Sequence, residues 1–178
     1  MRLFIAIEVP EDIKQILIAA RDKLIFPGKA AKTKEFHLTL KFLGEVDEPK
    51  AKQLSKALEK IEFNPFTLTL SDIGAFPNRN KARVIWAGLT PHENINSIQQ
   101  RIDNECETLG FKKDDRFHPH LTLARIKSID DKEEFLKCLD SISLTKAEFK
   151  VDSFKLIKST LTPEGPIYDV LNSFSSQQ

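Results

Sequence analysis

One tetrapeptide occurs twice in this sequence, as His37-Leu38-Thr39-Leu40 and His120-Leu121-Thr122-Leu123. The copies lie 83 residues apart (120 − 37) in a chain of 178 and hold two of its 4 histidines. Imidazole is the side chain whose ordinary pKa, about 6.5, lets it give or take a proton near neutral pH. Successive side chains of a strand point to opposite faces, so each copy offers His and Thr to one side and two leucines to a core. Residues i and i+2 lie about 6.6 Å apart along a strand, close enough for both to touch one small ligand. Two such pairs facing each other across a compact anion surround it with four polar groups.

The chemistry that fits is in-line displacement at a phosphodiester. One imidazole takes a proton from attacking water and the other protonates the departing sugar oxygen, while the hydroxyls donate to the non-bridging oxygens. Acid–base groups of this kind give about 10²- to 10⁴-fold each, and fixed donors at the changing charge add more. This scheme calls for no metal and no cofactor. His118 shares the motif face with His120, but two ligands are too few for a metal site.

The elements that must position these residues follow one order in each half. Arg2 to Val9 reads as a strand ended by Pro10, and Ile13, Ile16, Leu17, Ala20 and Leu24 recur at helical spacing over 12–24. A basic loop (Lys29, Lys32, Lys34) leads into a motif strand over 36–43, ended by Gly44. Asp47 then caps a helix bearing Ala51, Leu54, Leu58 and Ile61; a strand over 66–70 and a turn-rich loop over 76–80 follow. The order restarts with a strand over 83–89, a helix bearing Ile95, Ile98, Ile102 and Leu109 that ends at Gly110, and the second motif strand over 117–126. Asp130 with Glu133 reads as a capping box, and closing strands over 147–157 and 167–171 flank the turn at Thr162-Pro163-Glu164-Gly165.

From strand start to motif histidine the offset is 35 residues in one half (37 − 2) and 37 in the other (120 − 83). This predicts an internal duplication and an α+β, bilobal fold: two antiparallel β-sheets facing a central cleft, helices on the outside, pseudo-two-fold symmetric. Residues 1–178 form a single bilobal domain in this reading, with halves roughly 1–75 and 82–178 and terminal strands crossing between lobes.

Composition narrows the partners. A chain this long buries roughly 70% of its unfolded surface and needs no disulfide staple, so Cys106 and Cys138 read as reduced thiols. A net charge of +1 excludes a broad electrostatic grip on duplex nucleic acid. The apolar run Leu3 to Ile7 is followed by Glu8, far short of the roughly 20 residues of a membrane span. The expectation is a cytoplasmic monomer with no membrane partner.

The paired motifs, the opening Met1-Arg2-Leu3-Phe4, the stretch Phe36 to Gly44, the segment Arg83-Val84-Ile85-Trp86-Ala87-Gly88 and the segment His118 to Arg125 resemble the two-histidine phosphoesterases. Within these the likeness is to the RNA 2′,3′-cyclic phosphodiesterase group (ThpR, historically 2′-5′ RNA ligase), and it spans nearly the whole chain. The resemblance implies metal-independent opening of a terminal 2′,3′-cyclic phosphate, on RNA ends or small cyclic nucleotides, to a 2′-phosphomonoester. It implies His37 as proton donor, His120 as proton acceptor, and Thr39 and Thr122 on the phosphate. A non-catalytic RNA-end or nucleotide-binding module and 2′-5′ RNA ligation as a reverse activity are the alternative readings.

The resemblance also suggests that Arg125 holds phosphate. Strict alternation puts position 125 on the face opposite His120, so this role needs a bulge or a strand end. Lys41, in register with His37 and Thr39, is the alternative cation. Phe117 and Trp86 are candidates for stacking on a base, with core packing the competing reading of each.

Overall fold

The computed structural model of the protein describes residues 1–178. Its elements run β1 (Arg2–Glu8), α1 (Glu11–Asp22), β2 (Gly28–Lys32), β3 (His37–Glu45), α2 (Glu48–Leu58), β4 (Phe66–Phe76) and β5 (Val84–Thr90). Then come α3 (Glu93–Thr108), β6 (His120–Ile129), α4 (Lys132–Ser141), β7 (Glu148–Val151), β8 (Ser153–Thr162) and β9 (Gly165–Ser175). Local chemistry sets many of the ends. Asp47 caps α2 by accepting from the Lys50 amide at 2.8 Å, as its position predicts. The cap of α4 is Asp131, one residue beyond the expected Asp130, and it accepts from the Glu134 amide at 3.1 Å.

The strands make two antiparallel sheets, ordered β3-β1-β8-β9 and β2-β6-β5-β4-β7. Each sheet holds one motif strand and is completed by strands from the other half of the sequence. β8 and β9 join the first motif's sheet, while β2 and β4 join the second's. Strand β1 is covered on both faces, Leu3, Ile5 and Ile7 lying in the main core and Phe4 and Ala6 in a second buried cluster, which is why its run Leu3 to Ile7 is apolar without alternation. One cluster of 39 buried apolar residues runs through both sheets and all four helices, so the two lobes share a core. Leu38, Leu40, Leu121 and Leu123 point into it. The helices therefore lie on the leucine side of the motif strands, with α3 against β3 and α1 against β6, and the histidine side is left open.

Three segments differ from the sequence-based expectation. Residues Gly28 to Lys32, read as a basic loop, form strand β2, whose only strand partner is β6. Strand β4 continues past Leu70 to Phe76 through an irregularity at Ser71 and Asp72, where the register steps from Leu70↔Leu89 to Ile73↔Ala87. The single strand expected over 147–157 breaks at Asp152 into β7 and β8, which pair in different sheets.

Candidate active site

Both motif strands carry the same bulge. Between β1 and β3 the register passes from Ala6↔Thr39 to Ile5↔Lys41, leaving Leu40 unpaired. Between β5 and β6 it passes from Trp86↔Thr122 to Ile85↔Ala124, leaving Leu123 unpaired. An extra residue makes two consecutive side chains face the same way. Leu40 and Lys41 are accordingly both buried, as are Leu123 and Ala124, and the next residue in each strand, Phe42 or Arg125, is exposed. The bulge thus brings Arg125 onto the face of His120 and Thr122, where alternation alone would not put it.

The same bulge removes Lys41 from the motif face, which corrects the sequence-based reading of it as the alternative cation there. Lys41 is 2% exposed, and its Nζ donates to Asp103 Oδ1 of α3 at 2.5 Å and to the Lys112 carbonyl at 2.8 Å. Asp114 lies 3.2 Å away, and its amide donates to Asp103 Oδ2 at 3.1 Å. Burial alone would lower the Lys41 pKa, but Asp103 and Asp114 outweigh it and the value is raised. This buried cluster ties β3 to α3 and to the loop that leads into β6.

His37, Thr39, His120 and Thr122 are all half-buried on the faces turned away from the main core. Around His37 stand Tyr168 of β9 and Phe4 of β1, with ring centroids 4.9 Å and 5.6 Å away, both edge-on. Around His120 stand Phe76 at 5.0 Å and His118 at 6.3 Å. The indole of Trp86 lies on the same face, 4.9 Å from His118, and Gly74 makes room for it, because a Cβ there would fall 2.2 Å from the ring. Its Nε1 is buried with no hydrogen-bond partner. Trp86 is therefore a wall of the motif face and not part of the main core.

Phe117 is elsewhere. It packs against the main core and, with Asn96, Gln99 and Asp103 of α3, lines a shallow depression, in keeping with the core-packing reading. Tyr168, Phe4 and Phe76 are the neighbours of the histidines that sequence reasoning missed. Tyr168 is the chain's only tyrosine, and a lone aromatic with a polar tip was the one signal that could have singled it out.

The two faces look onto one space. Strands β3 and β6 approach each other, and the Arg125 charge on one sheet acts on Tyr168 of the other. Burial is the main cause of the raised Tyr168 pKa, Glu35 adds to it, and Arg125 and Arg2 oppose it.

The electrostatic settings of the two imidazoles differ. Desolvation depresses both pKa values below 6.5 and is the largest cause in each case. For His37 the next influences are the carboxylates of Glu8 and Glu35, which favour the charged ring. For His120 a hydrogen bond to the His118 carbonyl also favours charge, but the charged groups nearby, His118 and Arg125, disfavour it. The 2.7 Å contact between His120 Nδ1 and that carbonyl fixes a tautomer. A carbonyl can only accept, so Nδ1 carries hydrogen and the neutral ring leaves Nε2 bare.

No group of three or more His, Cys, Asp or Glu residues is placed to hold a metal ion, and Cys106 and Cys138 are free thiols. No helix is long and apolar enough to cross a membrane.

Two fused antiparallel sheets, each turning a His-x-Thr strand face onto a common cleft, define the class of two-histidine phosphoesterases. The chain belongs to the LigT-like phosphoesterase family, whose model matches residues 7–86 and 89–168. It is 41% identical to the RNA 2′,3′-cyclic phosphodiesterase of Methanocaldococcus jannaschii over 98% of this chain and 100% of that one. It is 38% identical to the protein of the same name from Thermotoga maritima, covering 96% and 93% of the two chains. In three dimensions it is similar to Escherichia coli LigT complexed with 3′-AMP, with a TM-score of 0.81 and 28% identity over 99% of this chain and 98% of that one.

Proposed function

We propose that this protein is a cytoplasmic RNA 2′,3′-cyclic phosphodiesterase that hydrolyses a terminal cyclic phosphate to a 2′-phosphomonoester by two-histidine acid–base catalysis. The observation that carries the assignment of roles is the fixed tautomer of His120, whose Nδ1 donates to the His118 carbonyl at 2.7 Å and leaves Nε2 bare to accept a proton. Around His37 the carboxylates of Glu8 and Glu35 favour the protonated ring, against Lys14 and Lys155. His120 Nε2 takes a proton from water, whose oxygen attacks phosphorus. The bond from phosphorus to O3′ breaks in line, and His37 gives O3′ its proton. The Thr39 and Thr122 hydroxyls and the Arg125 guanidinium meet the non-bridging oxygens. Protein groups thus supply acid, base and anion stabilisation, and the step needs no metal.

The test is turnover of an oligonucleotide ending in a 2′,3′-cyclic phosphate, in the presence of EDTA. The expected product is a 2′-phosphate end, with activity lost on substituting either histidine. Binding of the end without conversion, or activity surviving in both His37→Ala and His120→Ala, overturns the reading.

A further inference from the structure

The proposed mechanism has no use for the buried ion cluster at Lys41, and the cluster runs against the pattern of the strand that carries it. Alternation from Leu38 and Leu40 would turn Lys41 to the open face and Phe42 to the core, an arrangement that suits both side chains. The fold does the reverse. Lys41 is 2% exposed and Phe42 69% exposed, because Leu40 is left unpaired against β1. In β6 the same bulge needs no help, since the two residues it turns inward, Leu123 and Ala124, are apolar and bury themselves. In β3 it must bury an ammonium group, which is tolerated only where counter-charges meet it. Those come from outside the strand. Asp103 of α3 accepts from Lys41 Nζ at 2.5 Å, and it holds the second carboxylate in place by accepting from the Asp114 amide at 3.1 Å. One turn earlier on α3, Gln99 donates to the carbonyl of the unpaired Leu40 at 3.5 Å.

What the cluster decides is the charge of the first wall. Without the bulge, the register Ala6↔Thr39 would continue as Ile5↔Leu40 and Phe4↔Lys41. The Lys41 ammonium would then stand on the face of His37 and Thr39, as Arg125 stands on the face of His120 and Thr122. Both motif strands would present a cation just beyond the threonine. We propose that Asp103 is a positioning residue of the active site: by drawing Lys41 inward it selects the bulge in β3 and keeps that ammonium off the wall that carries His37. The consequence for catalysis rests on the assignment of His37 as the acid. A cation brought next to that imidazole opposes its charged form, and a phosphate in the cleft is then gripped from both walls instead of one.

A merely structural role, once lost, can only weaken anion binding, so a gain of affinity is the decisive readout. Inorganic phosphate is titrated by calorimetry into wild type, Asp103→Leu and the double variant Lys41→Met with Asp103→Leu, and cross-strand proton contacts between β1 and β3 are read by NMR. In Asp103→Leu phosphate binds about tenfold more tightly, the scale of one added charge-assisted contact. In the same variant kcat on a nucleoside 2′,3′-cyclic phosphate falls, and the backbone contact of Phe4 with Phe42 is replaced by one with Lys41. The double variant, whose methionine buries itself as Ala124 does, restores the wild-type contact, the wild-type phosphate affinity and most of kcat. Asp103→Asn keeps the shape of the side chain and removes its charge; it shows the same changes at smaller size and decides the matter if the leucine variant does not fold. Wild-type cross-strand contacts in these single variants, or phosphate affinity that is unchanged or weaker, overturn the proposal. A wild type with no activity on the cyclic phosphate, together with tightened phosphate and the exchanged contact in Asp103→Leu, places the failure in the catalytic reading alone.

Discussion

Strands β3 and β6 agree letter for letter over four residues and share a bulge, yet they equip the two sides of the cleft differently. After the bulge β3 buries Lys41 and exposes Phe42, whereas β6 buries Ala124 and exposes Arg125. Their flanks differ too. β6 is enclosed between β2 and β5, while β3 is an edge strand with β1 alone beside it. The segment that precedes β6 does not pair with β3 as β2 pairs with β6; it is held by the Lys41 contacts with the Lys112 carbonyl and Asp114. Duplication thus supplies two equivalent His/Thr pairs, and the residues that escaped duplication set one of them beside an apolar floor and the other beside a cation, a difference that the proposed acid and base roles use.

The sharpest way to break this comparison is to remove each histidine and change the leaving group. His37→Ala and His120→Ala each lose about 10²- to 10⁴-fold in kcat on a cyclic phosphate. On an aryl phosphodiester, whose phenolate departs without protonation, His37→Ala recovers most of its activity and His120→Ala does not. Recovery of the other variant instead would reverse the roles.

Next in size is the buried cation that has no counterpart in β6. Lys41→Met leaves Asp103, itself 2% exposed, without its counter-ion, and unfolding in denaturant should show a loss of about 3–5 kcal/mol. Lys41→Met combined with Asp103→Leu should recover much of that loss, because no isolated charge then remains buried. Ala124→Gly, at the equivalent point of β6, removes only a methyl group and should cost about 1 kcal/mol. Equal costs at the two positions would show that the ion cluster does not distinguish the lobes.

Arg125→Ala should lower kcat/KM about 10- to 100-fold by removing a charge-assisted donor to the phosphate, and Arg125→Lys should restore part of it. If Arg125→Ala instead matches wild type, the bulge in β6 has no role in anion binding.

The smallest effects are in pH dependence. The proposed roles require His37 charged and His120 neutral in the active free enzyme, and both pKa values lie below 6.5. The profile of kcat/KM should therefore be bell-shaped with its maximum on the acid side of 6.5. Glu35→Gln removes a carboxylate that favours charge on His37 and should move the alkaline limb further to acid, leaving the acid limb in place. A flat profile over about pH 5–9 is incompatible with two imidazoles sharing the work. Stability follows the same shifts. With depressed pKa values the folded state binds fewer protons than the unfolded one, so stability is full above 6.5 and falls as the pH drops through the folded values. Replacing both histidines by asparagine should flatten that fall in a denaturant titration.

Much of this was legible in the sequence because it is local. The repeated His-Leu-Thr-Leu splits into a polar and an apolar face by strand geometry alone, the helices announce themselves by spacing, and Asp47 by its cap. Two copies in matching frames imply two lobes and two proton-transfer groups. Other features depend on partners far along the chain. The residues Gly28 to Lys32 become a strand only because β6 offers them an edge. Tyr168 reaches His37 only because β9 joins the first motif's sheet. Above all, the bulges are set by how β3 and β6 register against β1 and β5, and no pattern within either strand reveals them. One unpaired residue turns every later side chain over, which is why the sequence by itself determined the two His/Thr pairs while tertiary structure decided that Lys41 is buried, that Arg125 shares the face of His120, and which imidazole has carboxylates for neighbours.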